Sequence, residues 1–173
     1  MDAIAILREQ LKQAHDLLEF PMTGMPAEHL HHRHDGATIQ SIAAIYSHTV
    51  ITEDQMICEF LRNEPPRFDR DGWAEKTGLA SGGEGYLNEE WTAAVANLNI
   101  DALREYAQLV YADSDACLAT HSAESLDPVK QFGGMGEMSV GSFWGTIIVW
   151  HAMAHGAEIA ALTGCLGRKG VPF

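Results

Sequence analysis

Four segments of this chain, each about 19 to 25 residues long, carry apolar residues at helical spacing, and little else in the sequence competes with them. The first runs from about Asp2 to Phe20. Asp2 is placed to cap it, Ile4, Leu7, Leu11, Ala14 and Leu18 form its stripe, and Pro21 is expected to stop it. The second runs from about Thr38, a candidate cap, to Leu61, with Ile42, Ile45, Thr49, Thr52 and Met56 in register. The third runs from about Asn99 to His121, with Leu103, Tyr106, Ala107 and Val110 on one face. The fourth runs from Ser139 to Thr163, and Gly164 is expected to end it. Strand patterns are nearly absent. An all-α chain with four such helices has one economical way to bury its stripes, the four-helix bundle, whose core commonly hosts metal sites.

The connections are uneven. The 22–37 loop carries Pro26 and Gly36 and predicts a helical turn at Ala27–Leu30. The 63–98 connection is unusually long for a compact domain and predicts a short helix near residues 88–96, preceded by a functional or mobile loop. The third spans 126–138. At 173 residues the whole chain, 1–173, reads as a single domain.

Charge narrows the partners. Eleven Lys and Arg against 24 Asp and Glu leave a net charge of −13, which opposes binding to nucleic acid or to an anionic membrane. Met138 to Ala157 is free of charge and long enough to span a bilayer, but it is broken by Ser, Gly, Thr and His. A central helix of a soluble bundle fits it better. Cys58, Cys117 and Cys165 are an odd number without paired spacing. With no signal peptide in view, a reducing cytoplasm is the expectation.

Nine histidines are many for this length. His151 and His155 stand i, i+4 on the fourth helix, close enough for two imidazoles to reach one metal ion. They share a stripe with Val140, Trp144, Ile147, Glu158 and Leu162, so they point where apolar side chains point. Burying neutral imidazoles without partners is costly, and a metal would resolve that cost. His48, mid-helix between Ile45 and Ile51, is the best third ligand; His15 and His121 are weaker because both lie near helix ends. Three imidazoles would leave an open coordination position, as catalytic sites do. The competing reading makes these core histidines bonded to each other, to Glu158 or to water.

The run His151-Ala-Met-Ala-His155-Gly156-Ala-Glu158, the segment His48-Thr-Val-Ile-Thr-Glu53-Asp54, and Met25-Pro-Ala-Glu-His-Leu-His-His-Arg33 ahead of them resemble the DinB-like superfamily. That superfamily includes the bacillithiol and mycothiol S-transferase-like proteins. The resemblance covers nearly the whole chain and is poorest over 63–98. It implies an antiparallel bundle with a long crossover connection, often a homodimer. It also implies a divalent metal, zinc or nickel most often, held by three histidines that map to His48, His151 and His155. The function expected is that of a metal-dependent thiol S-transferase-like or hydrolase-like enzyme acting on a small-molecule thiol or electrophile. A non-catalytic metal-binding stress-response module and a metal-free structural dimer are the alternatives.

The remaining features have plainer readings. Glu158, one turn from His155, could orient that imidazole or stand partly exposed at the bundle mouth. Glu53 lies about 140° round the helix from His48 and is expected to pair with another helix or a dimer partner, not with the metal. His29, His31, His32 and His34 form a tract that could bind metal or simply cap the bundle. Trp144 and Trp150 are expected in the core. The cysteines lack a basic activator nearby in sequence. The glycines of 81–85 are not followed by the Lys-Ser/Thr of a phosphate loop.

Overall fold

The computed structural model describes residues 2–79 and 89–173. Helix α1 spans Ala3–Met22, and the Asp2 carboxylate accepts the Ala5 N–H at 2.8 Å. Pro21 does not stop it. The proline sits in the last turn, where it removes only one late hydrogen bond, and Pro21 and Met22 are both buried. The short helix α2 covers Ala27–Leu30 as anticipated. Helix α3 spans Ile42–Met56 and begins later than the sequence suggested. Ser41, not Thr38, is its cap, accepting the Ala44 N–H at 3.3 Å. It runs on through a wide π-helical turn, Ile57–Arg62, and stops where Asn63 turns left-handed at φ 55°.

The long connection holds more structure than expected. Helices α4 (Arg67–Arg70) and α5 (Trp73–Thr77) precede α6 (Glu89–Val95), which takes the place of the helix foreseen near 88–96. The loop anticipated before α6 falls largely on 80–88, outside the described residues. Helix α7 spans Ile100–Ala119, with the Asn99 side chain accepting the Ala102 N–H at 3.2 Å. A small antiparallel hairpin follows, β1 (Val129–Gln131) against β2 (Glu137–Ser139), with Val129 opposite Ser139. Three-residue strands are too short for a period-2 pattern to register. Ser139 then caps α8 (Val140–Ser142), accepting the Ser142 N–H at 3.0 Å. The chain stays helical through a π-helical stretch, Phe143–Val149, into α9 (Trp150–Cys165). Gly164 lies inside α9, and the left-handed glycine that follows the helix is Gly167, at φ 76°.

The long helices contact one another in a ring, α1 to α7 to α3 to α9 and back to α1. One half of the core gathers Leu18, Ile45, Tyr46, Tyr106 and Ile159; the other gathers Leu11, Phe132, Phe143 and Trp144, with Phe132 stacked on Phe143 at 4.3 Å. Trp144 is fully buried. Trp150 is not a core residue: it is 64% exposed on the outer face of α9. No helix among the described residues is long and apolar enough to cross a membrane, the 138–157 segment included.

Candidate metal centre

The ring order brings α3 against α9, and His48 of α3 meets His151 and His155 of α9 there. One ligand atom from each lies within 4.8 Å of the other two, and all three side chains are half-buried. This is the only such group of three or more His, Cys, Asp or Glu among the described residues. Ring centroids stand 5.2 Å apart for His48–His151, 5.2 Å for His48–His155 and 4.5 Å for His151–His155, and every pair meets edge to face.

The nitrogens are sorted by their neighbours. His155 Nδ1 lies 2.7 Å from Glu158 Oε2, which reads as Nδ1–H donating to the carboxylate and leaves Nε2 to carry the lone pair. His48 Nδ1 lies 3.4 Å from Thr52 Oγ1, one helical turn on, so His48 presents Nε2 as well. His48 Nε2 and His151 Nε2 are 3.3 Å apart. That is long for a hydrogen bond, whose usual N···acceptor distance is about 2.9–3.0 Å. It matches the separation of roughly 3.3 Å expected for two nitrogens bound tetrahedrally at about 2.0–2.1 Å from one zinc ion. The donor set, the matched separation and the oriented outer nitrogens all fit a divalent cation.

Electrostatics agree. Burial, then the neighbouring His155 and His48, push the His151 imidazole down to about 3. It is therefore neutral at pH 7, the form that can ligate. In the metal-free protein this has a signed consequence. An unfolded His151 takes a proton near 6.5 while the folded one resists until about 3, so the unfolded state binds more protons in between. Folding stability should hold above about pH 6.5 and fall as the pH drops toward about 3, by up to about 1.4 kcal/mol per pH unit for this one group. Urea titrations of wild type and His151→Ala at pH 7, 6 and 5 check this. Equal pH slopes in the two proteins would refute it.

Glu158 is 40% exposed at its side chain, yet it holds His155 at short range, so both sequence readings of it meet in one residue. Glu158→Gln should weaken metal affinity by about 10–100-fold, the usual loss when the group orienting a ligand is changed. Competition with a chromogenic chelator measures it. Thr52, a stripe residue by periodicity, is also a contact of His48, and its i+4 spacing from that histidine is the sequence signal for it.

The other histidines lie elsewhere. His15 is buried and bonds both Glu53 oxygens at 3.0 Å through Nε2, and Glu53 also accepts from Ser114 Oγ at 2.5 Å. Glu53 thus faces α1 and α7, away from the trio, as its helical phase implied. His15 stacks on Tyr111 at 3.9 Å and lines a groove of about 630 Å³ between α1 and α7, which none of the three converging histidines touches. His121 Nδ1 pairs with Ser125 Oγ at 3.0 Å, and the ring stands edge-on to Trp144. Burial and the adjacent Asp54 raise the Cys58 thiol to about 11, which makes it a poor nucleophile.

A family model of the DinB superfamily matches residues 10–159. The chain belongs to the DinB superfamily. The crystal structure of a conserved protein from Enterococcus faecalis superposes with a TM-score of 0.80 over 97% of this chain and 99% of that one, at 19% identity. At that identity the likeness speaks to the fold alone, and it confirms the helical bundle. No curated protein matches this chain. DinB superfamily membership and the histidine trio together point to a divalent metal without naming it.

Proposed function

We propose that His48, His151 and His155 of this DinB superfamily member hold a divalent cation, zinc or nickel, at the heart of a thiol S-transferase-like or hydrolase-like active site. The observation that carries the reading is the 3.3 Å approach of His48 Nε2 to His151 Nε2, with His155 joining them. A bound cation with an open position would act as a Lewis acid, lowering the pKa of a thiol or water that reaches it. The protein's share is positional. Glu158 fixes the tautomer of His155, Thr52 stands against the outer nitrogen of His48, and burial keeps His151 unprotonated. The substrate class is a small-molecule thiol paired with an electrophile, and the working unit is a homodimer in the cytoplasm.

The test is metal content and turnover on protein purified without an affinity tag. About one zinc or nickel per chain, with thiol consumption against a panel of electrophiles that vanishes in His155→Ala, supports the enzyme. Full metal occupancy without turnover of thiol or ester substrates returns the protein to a metal-binding module. Metal unchanged in His151→Ala removes the basis of the reading.

A further inference from the structure

We infer a second, weaker cation site on the 29–34 loop, formed by His32 and His34 and selective for imidazole-preferring divalent metals such as Cu²⁺, Ni²⁺ and Zn²⁺. It shares no residue with the trio. Leu30 is buried and pins the loop to the bundle, while His31 and His32 are exposed. Beyond α2 the chain through residues 32–34 is neither helical nor paired as a strand. Outside a helix, the rings of an i, i+2 pair are free to meet. They do: the His32 and His34 centroids are 4.6 Å apart at an interplanar angle of 84°. Within the trio, His151 and His155 stand 4.5 Å apart at 88°. The loop pair therefore matches two of the three converging rings in centroid separation and interplanar angle.

A separate observation points the same way. His34 Nε2 is shut off from solvent and has no hydrogen-bond partner, and His29 Nδ1 in the same loop shares that condition. They are the only histidine nitrogens so placed among the described residues. A buried polar atom left unpaired is costly, and native structures usually supply it a partner. A cation held between the two rings gives the His34 nitrogen the partner that the protein does not. Imidazole donors select copper, nickel and zinc over magnesium or calcium. The net charge of −13 raises the local concentration of any cation. Two rings and not three make this site, since only the trio has three donor atoms within 4.8 Å among the described residues. Water completes the coordination, and binding is weaker and exchangeable.

Copper itself is the probe. Tag-free protein is first loaded with zinc to fill the trio, freed of excess, and titrated with Cu²⁺ while the electron paramagnetic resonance spectrum is followed. Wild type should bind one further equivalent with two nitrogens in the copper plane. The double variant His32→Ala/His34→Ala should lose at least 10-fold in affinity for that equivalent and keep its zinc, with an unchanged melting curve showing that it is folded. His151→Ala should keep the nitrogen-coordinated copper signal. No extra copper in wild type, or equal copper affinity in the double variant, overturns the proposal and leaves the trio untouched. A copper signal that disappears in His151→Ala overturns it too, by showing that copper sits only at the trio.

Discussion

A chelator should lower the melting temperature of the wild-type protein by about 8–16 °C and leave His151→Ala where it was. A ligand that binds only the folded state, present at 1,000 times its Kd, stabilises by about 4 kcal/mol. For a chain of this size each kcal/mol moves the midpoint by about 2–4 °C. The trio can be that ligand's site only when folded, because His48 and His151 are brought together across 103 residues of chain by the packing of α3 on α9. Loss of one imidazole removes the geometry that the other two share, so the variant should have little metal left to lose. His151 resists protonation because it is buried, and replacing it relieves that tension at mildly acid pH. The measurement is differential scanning calorimetry with and without chelator at pH 7, on both proteins. A wild-type midpoint that ignores the chelator, in protein shown to contain no metal, would return the three rings to the role of core histidines.

How much of this could be read from the sequence depends on range. Periodicity located all four long helices because each buries a stripe repeated over several turns. It also placed His48 and the His151–His155 pair on faces that can meet, and it turned Glu53 away from them. The ends were less legible. Thr38 and Ser41 are equally good caps on paper, and which one serves is decided by where α3 must start to reach the core. Pro21 and Gly164 look like stop signals, but packing carries both helices past them. Trp150 shows the same limit from the other side. Its large ring suggested burial, yet its position on α9 faces outward. The partnerships of His15 with Glu53 and of Asp54 with the Phe68 amide and the Tyr106 hydroxyl span 14 to 52 residues, and no local pattern encodes them. Helices α4 and α5 are too brief to show periodicity and form because tertiary contacts hold them.

Those contacts converge on Asp54, and Asp54→Ala should cost about 2–6 kcal/mol. The carboxylate is 3% exposed. Its Oδ2 accepts the Phe68 N–H at 2.9 Å and the Tyr106 hydroxyl at 2.7 Å, and its Oδ1 accepts the Cys58 thiol at 3.3 Å. Each strong donor left unpaired in the interior costs about 1–3 kcal/mol, and alanine leaves two of them so. Tyr106 cannot escape by ionising: burial, then the charge of Asp54, raise its hydroxyl far above the ordinary tyrosine range, so it remains an obligate donor. The same bonds fasten α4 to α3, since the Phe68 N–H lies in the first turn of α4 and the Phe68 ring packs against Tyr106 at 5.4 Å. Trp73 of α5 completes the cluster, also 5.4 Å from Tyr106. Removing Asp54 should therefore loosen the 67–77 segment before the whole bundle melts. Tyr106→Phe isolates one bond and should cost only about 1–2 kcal/mol. Urea unfolding gives the energies, and hydrogen exchange at the Phe68 amide gives the local opening. An Asp54→Ala midpoint equivalent to that of Tyr106→Phe would mean that the Phe68 amide finds another acceptor and that α4 does not depend on this carboxylate.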